Sequence, residues 1–333
     1  MINSVSIVFT VAYIIPHMVF AHGGGLDGQG GHRDTKADNY HFHQGALNGE
    51  TFSSKQAASN ALVVLNSIED VTDEDPEQED NPAQPIYDLS AYFPSADPAD
   101  QLIVHKAYAL QYSEPHEQAV WVLYRITAEQ LQASVNRTDD FRADEAVATG
   151  SASLEDYRGS GYDRGHMAPA AAMAWAVEIM SESFLLSNIS PQNPAFNRGI
   201  WRELEALVRG WANLHDELFV VTGPVLSEQL PSIGPNGVSV PERYYKVILD
   251  LRMPIIAGIG FILPNGSANK PIEGYAVTID SVEAVTGIDF FPALVDLVEE
   301  QVESRLYVSH WGYKGLGIST LNDPESWANI KIR

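Results

Sequence analysis

The chain has 333 residues, an apolar fraction of 45% and no cysteine, so a proper hydrophobic core is within reach while disulfides, thiol catalysis and Cys-ligated zinc are excluded. The formal net charge of −24 argues against tight, static binding of nucleic acid, which draws on Lys and Arg, but not against an enzyme that releases polyanionic products. The acidity reads either as an acidic shell around a small basic cleft or as a surface that serves solubility alone.

In chain order, residues 1–21 read first as a signal peptide. Val5 to Val11, with Ala12, Ile14 and Ile15, form an apolar run, and Val19-Phe20-Ala21 resembles a small-residue cleavage site. The start carries no Lys or Arg, and Pro16 and His17 interrupt the run. The expected location is secreted or periplasmic. No other stretch is long and apolar enough to span a bilayer, so no membrane partner is expected.

Residues 22–52 form a His- and Gly-rich module with His22, His32, His41 and His43 beside Asp27 and Asp34. His41 and His43 lie two apart, so on a strand both point to one face, a spacing that suits a metal such as Zn²⁺. The alternative is a polar loop whose histidines hydrogen-bond locally. Cleavage after Ala21 would make His22 the new N-terminus, offering an amine and an imidazole to Cu²⁺. Residues 53–68 have helical spacing through Ala57, Ala58, Ala61, Leu62 and Leu65. Residues 69–85 are an acidic, Pro-punctuated block, expected to be an extended linker.

From Ile86 the pattern becomes that of a mixed α/β domain running to residue 312. Leu102 to Tyr112 and Ala119 to Thr127 are expected to be paired strands. Phe184 to Ser187, Leu218 to Thr222, Tyr244 to Leu251, Ile255 to Leu263 and Tyr275 to Ile279 are expected to be further strands. Asn197 to Leu214 reads as an amphipathic helix that buries Ile200, Trp201, Leu204, Leu207, Val208 and Trp211. Asp280 and Glu283 have the spacing of a capping box that opens a short helix. Ala293 to Leu306 reads as a late helix. The tail 313–333 has little periodicity and gets no assignment.

The chemistry gathers around Asp163-Arg164-Gly165-His166. His can take a proton from water near neutral pH, Arg can grip a phosphate oxygen, and Gly lets a substrate backbone approach closely. Alone, these four residues serve equally well as a loop with an internal Asp–Arg pair and a surface His. A second segment, Asn197 to Glu205, tips the balance. Glu205 lies about 12 Å along the helix axis from Asn197 and roughly 80° round it, too far for both to ligate one ion tightly. A hydrated Mg²⁺, which takes few protein ligands, fits better.

Taken together, Asp163-Arg164-Gly165-His166-Met167-Ala168-Pro169, Ser187 to Gln192 and Phe196 to Glu205 resemble the DNA/RNA non-specific endonuclease family. Phe219 to Pro224, Val240 to Ile248 and Val277 to Asp280 add further matches, and the resemblance runs from about Leu102 to Ala293. It implies an α+β fold with a central antiparallel sheet and a ββα-metal active site. It also implies Mg²⁺, or Mn²⁺ in its place, as cofactor and DNA and RNA as substrates. His166 matches the family's general base, Asn197 its metal-ligating asparagine, and Glu205 the acid that orients metal-bound water. Asn188 matches a supporting polar residue near the metal, and Arg164 the arginine before the base. A further family arginine falls on Arg137 or Arg142, with Arg137 preferred. Residues 22–52 resemble a YHYH-type module of secreted proteins, with Gly31 and Phe42 where cysteines are common. No inhibitor can be read from one chain, and a homodimer is left open. The competing reading is a non-catalytic extracellular protein that binds metal or a partner through residues 22–50, with a silent nuclease fold behind it.

Overall fold

A computed structural model of the chain describes residues 26–36, 39–44, 47, 51–52, 54–56, 58–59, 62, 86–95, 97–253 and 255–311. The expected signal peptide, His22, the acidic block 69–85 and the tail 313–333 lie outside these residues. The contacts divide the chain into two units, Met1–Leu62 and Val63–Arg333. The division falls inside the segment 53–85, so Phe52, Ala58 and Leu62 go with the N-terminal unit.

In that unit, β1 (Gly31–Asp34), β2 (Asn39–Phe42) and β3 (Thr51–Phe52) form a three-stranded antiparallel sheet in the order β1-β2-β3. The period of two separates its faces. Tyr40 and Phe42 are buried with Leu47, Phe52 and Ala58, while His41 and His43 alternate with them on the other side. Phe42 and Phe52 meet edge to face at 5.7 Å between centroids. Gly31 is required by close approach: a Cβ there would stand 2.6 Å from the Tyr40 ring and 2.8 Å from the His41 carbonyl.

The second unit begins with β4 (Gln101–Val104), β5 (Tyr108–Ser113) and β6 (Gln118–Thr127). The expected strand from Leu102 to Tyr112 is a hairpin instead. His105 N–H donates to the Tyr108 carbonyl at 2.8 Å and closes a turn, so β4 folds back on β5 with Val104 opposite Ala109. Next come α1 (Leu154–Tyr157), β7 (Asp163–His166), α2 (Val177–Glu182), β8 (Ile189–Gln192) and α3 (Arg202–His215). The strand expected at Phe184 to Ser187 is a helix end running into a 3-10 turn; pairing starts two residues later, at Ile189. The chain continues with β9 (Glu217–Pro224), the short pair β10 (Ser232–Ile233) and β11 (Val238–Ser239), then β12 (Arg243–Asp250) and β13 (Ala257–Pro264). It closes with β14 (Ala276–Val277), α4 (Ile279–Thr286), α5 (Asp296–Glu303) and α6 (Val308–Trp311). The expected capping box at Asp280 is shifted: Thr278 is the N-cap, its hydroxyl accepting from Ser281 N–H at 3.2 Å.

Seven strands make one antiparallel sheet in the order β14-β13-β12-β9-β6-β5-β4. Both faces are covered, so its central strands are mostly apolar on both sides. Along β6, Val122, Tyr124 and Ile126 point to the α3 side and Trp121 and Leu123 to the other. On β12, Tyr244 and Ile248 oppose Tyr245, Val247 and Leu249 in the same way. Helix α3 and the turn before it bury Trp201, Leu204, Leu207, Val208 and Trp211, roughly 1.5–3 kcal/mol for each large apolar side chain. Helices α4 and α5 close the opposite face through Ile279, Val282, Val298 and Val302. Among the described residues, no helix is long and apolar enough to cross a membrane.

Candidate active site

Among the described residues, strands β7 and β8 pair only with each other, Asp163 opposite Gln192 and His166 opposite Ile189. After β8 the chain makes one helical turn, Pro194–Phe196, then a wider π turn, Asn197–Trp201, and runs into α3. The result is a ββα unit. It is fastened to the main sheet by buried polar contacts. Tyr244 Oη donates to the Pro191 carbonyl at 2.9 Å and lies 2.6 Å from Ser190 Oγ, which donates to Gln118 Oε1 on β6 at 2.5 Å. Asn265 adds two anchors, accepting from Asn193 N–H at 2.7 Å and donating to the Pro191 carbonyl at 3.1 Å. Gly165 leaves room for Gln192 here, since a Cβ would stand 2.1 Å from Gln192 Cδ and the Gln192 side chain would have to shift.

Arg164 and His166 sit two apart on β7 and both lie against Phe141: the Arg164 guanidinium is 4.0 Å from the ring centroid, and the His166 ring is 5.4 Å away. On its other side His166 meets Phe184 edge to face at 4.9 Å, and Arg137 caps Phe184 at 4.7 Å. Burial between these rings, with the Arg137 and Arg164 cations nearby, pushes the His166 imidazole down to about 3, although Asp139 pulls the other way. The ring is therefore neutral at physiological pH. Its Nε2 is buried with no hydrogen-bond partner among the described residues.

Asp139 has φ of 51°, a left-handed turn that aspartate tolerates, and its carboxylate accepts from Arg137 Nε at 2.6 Å. This loop separates the candidate arginines. Arg137 faces an open cleft of about 550 Å³, whereas Arg142 donates to Asp140 and to the Ser181 carbonyl at 3.0 Å and is not part of the cleft wall. Arg158 and Arg164 also line the cleft, so three arginines face two aspartates, Asp139 and Asp163, in a chain that is strongly acidic overall.

Asn197 reaches the same cleft. Its Nδ2 donates to Asp163 Oδ2 at 3.0 Å, and Arg198 grips the same carboxylate with Nε and a terminal nitrogen at 2.7 and 2.6 Å. The Arg198 contacts, with the Asn197 donor, hold the Asp163 carboxyl below its usual range. Tethered through nitrogen, the Asn197 amide keeps Oδ1 for another partner. Gly199 departs from helical geometry (φ −104°, ψ −117°) in the turn that presents Asn197 and Arg198 to Asp163.

Glu205 is half-buried on α3, beside Lys246. Burial raises its carboxyl above the usual range, against the pull of the Lys246, Arg209 and Arg137 cations. Lys246 is fully buried on β12, donates to Thr222 Oγ1 at 3.0 Å, and lies 4.6 Å from the Trp201 ring centroid. Burial pushes its ammonium down to about 8. A hydrated divalent cation, which keeps several waters and takes few protein ligands, suits a cleft that offers one neutral amide oxygen, that of Asn197.

Asn188 stands apart from the cleft. Its Nδ2 donates to the Ala168 and Ser183 carbonyls at 3.0 and 2.8 Å, and its Oδ1 accepts from Ala168 N–H at 2.8 Å. Fully buried, it braces the backbone just after His166. The sequence offered Asp163 only as part of the Asp163–His166 motif and did not single out Phe141, Phe184 or Lys246. For the phenylalanines no local signal exists, because rings from two distant loops enclose His166. A lysine inside the apolar run of β12 was the available hint for Lys246.

The ββα unit thus carries a neutral histidine, Arg164 and an asparagine held by Asp163. The chain belongs to the DNA/RNA non-specific endonuclease family, whose model matches residues 90–297. Mitochondrial endonuclease G of Homo sapiens is 34% identical over 210 residues, covering 59% of this chain and 71% of that protein. A nuclease of Nostoc sp. is 33% identical over 221 residues, covering 63% of this chain and 80% of that protein. A solved structure of the EndoG/EndoGI complex superposes with a TM-score of 0.57 at 32% identity, covering 62% of this chain and 91% of that chain. The protein is thus an endonuclease with a mixed α+β fold, and its N-terminal unit lies outside the family match.

Proposed function

We propose that this protein is an exported, divalent-metal-dependent endonuclease that hydrolyses phosphodiester bonds in both DNA and RNA, with His166 as general base. The observation that carries this reading is the neutral His166 imidazole, its Nε2 without a hydrogen-bond partner among the described residues, beside Arg137 and Arg164, which share a cleft with Asn197. A neutral imidazole can take a proton from water as that water attacks phosphorus, and the charge of a bound phosphate would raise its basicity for that step. Arg137 and Arg164 hold the non-bridging phosphate oxygens, and their stacking on Phe184 and Phe141 fixes where those charges stand.

Asn197, through Oδ1, is the residue that would hold Mg²⁺ or Mn²⁺, with Glu205 reaching the cation only through its waters. When bound, the cation supplies Lewis-acid stabilisation of the charge that develops on the phosphate and the leaving 3′ oxygen. Asp163 positions Asn197, and Lys246 keeps a counter-charge under Glu205. Recognition confined to phosphate and sugar accounts for indifference to base sequence and for acceptance of both sugars. Export rests on the apolar run from Val5 to Ile15 and the Val19-Phe20-Ala21 site.

Purified protein should nick supercoiled plasmid and degrade RNA in Mg²⁺ and do neither in EDTA. Binding without cleavage of either polymer, across Mg²⁺ and Mn²⁺, would instead favour the non-catalytic reading.

A further inference from the structure

The N-terminal unit carries a second constellation that the nuclease reaction does not use. His32 on β1 stands directly opposite His41 on β2, and His43 follows two residues on, with its backbone N–H donating to the Gly30 carbonyl at 2.9 Å. The imidazoles converge on one point. His32 Nε2 is 3.0 Å from His41 Nε2 and 3.1 Å from His43 Nε2, and the ring centroids are 4.5, 5.0 and 4.7 Å apart.

Hydrogen bonding among the rings does not account for this arrangement. A neutral imidazole nitrogen carries either one proton or one in-plane lone pair, so His32 Nε2 can complete an N–H···N bond with one of its neighbours and not with both. A cation at the common point engages every lone pair at once. Tetrahedral Zn²⁺ with Zn–N bonds of about 2.0–2.1 Å sets its nitrogen ligands roughly 3.3 Å apart, a few tenths of an ångström beyond the separations seen.

A second observation is independent of the rings. Among the described residues of the unit, the buried apolar ones are Tyr40, Phe42, Leu47, Phe52 and Ala58. Small units commonly lean on a disulfide, a metal or a partner chain to stay folded, and this chain has no cysteine. A metal bridging β1 to the end of β2 would clamp the same ladder that the small aromatic core supports on its opposite face.

We infer that His32, His41 and His43 form a Zn²⁺ site that staples the N-terminal unit, distinct in ligands and in metal chemistry from the nuclease centre. Three imidazoles without thiolate or carboxylate favour a borderline cation over Mg²⁺ or Ca²⁺. Three protein ligands leave a fourth tetrahedral position for water or another donor.

The test uses the full chain. Wild-type protein, stripped and titrated with Zn²⁺ in the presence of excess Mg²⁺, should retain about one equivalent after desalting. The His32→Gln/His41→Gln/His43→Gln variant should retain at least tenfold less and cleave plasmid in Mg²⁺ within twofold of wild type, which also shows that the nuclease unit is folded. A gain-of-signal variant guards against misfolding of the first. Loaded with Co²⁺, His43→Cys should develop a near-ultraviolet thiolate-to-cobalt charge-transfer band that wild type lacks. Equal Zn²⁺ retention by wild type and the triple variant would overturn the assignment, as would a His43→Cys protein without that band.

Discussion

Asp163→Asn isolates the part of the site that fixes Asn197. The Asp163 carboxylate accepts from Asn197 Nδ2 and twice from Arg198. The neutral amide keeps the shape but loses the charge and one acceptor, so Asn197 and Arg198 compete for a single oxygen. Arg198 is 72% exposed, so its ion pair is screened and is left out of the stability estimate. Losing the Asn197 tether costs about 1 kcal/mol, a Tm fall of about 2–4 °C for a domain of this size. The catalytic loss should be much larger, because loss of a partner that orients a metal ligand commonly costs about 10–100-fold in metal affinity or activity. Plasmid cleavage measured across a Mg²⁺ series should show the half-saturating Mg²⁺ concentration rising by that factor, with a smaller change in rate at saturation. An unchanged Mg²⁺ midpoint alongside an intact fold would refute the tethering role.

Three further outcomes follow from the same geometry. Asn188→Ala leaves the Ala168 N–H and the Ala168 and Ser183 carbonyls without their partner; the expected loss is on the order of 3 kcal/mol, read as a Tm fall of about 6–12 °C, and a fall below 2 °C would contradict the bracing role. Gly165→Ala must push Gln192 from its fully buried slot, so thermal melts should show a loss of about 1–3 kcal/mol, while an undisturbed Tm would show that Gln192 has room to move. His166 gives a pH dependence with a definite sign. Its folded value of about 3 lies below the ordinary 6.5, so the unfolded chain takes up the extra proton, and stability is lost as pH falls from 6.5 towards 3, by at most about 1.4 kcal/mol per pH unit. His166→Asn should flatten that slope in acid denaturation, and an NMR titration of wild type should find the ring still neutral at about pH 5; a midpoint near 6.5 would contradict the burial account.

The parts of this fold that were legible in the sequence are those where one surface is buried over many residues. Trp201, Leu204, Leu207, Val208 and Trp211 recur at helical spacing, and α3 lies where that recurrence puts it. The apolar runs of β9, β12 and β13 mark the centre of a sheet covered on both faces. Strand β7 was not legible as a strand. Its residues Asp163, Arg164, Gly165 and His166 are mostly polar, and it pairs only with β8, so neither alternation nor an apolar run announces it. The break at His105 that turns one expected strand into the β4–β5 hairpin depends on a single backbone hydrogen bond to Tyr108, which composition does not encode. In the site, residue types at matching positions pointed to His166, Asn197 and Arg164. What sequence spacing could not reveal is the environment: Phe141 and Phe184 arrive from separate loops to desolvate His166, and Asn188 is consumed by backbone hydrogen bonds rather than facing the cleft.

The most direct measurement of the central claim is cleavage of plasmid and of RNA by His166→Ala in saturating Mg²⁺, with circular dichroism confirming the fold. Removing a general base should slow both reactions by about 10²–10⁴-fold while leaving binding of an uncleaved oligonucleotide close to wild type. Activity within a few fold of wild type on either substrate would contradict the assignment of His166 as the base.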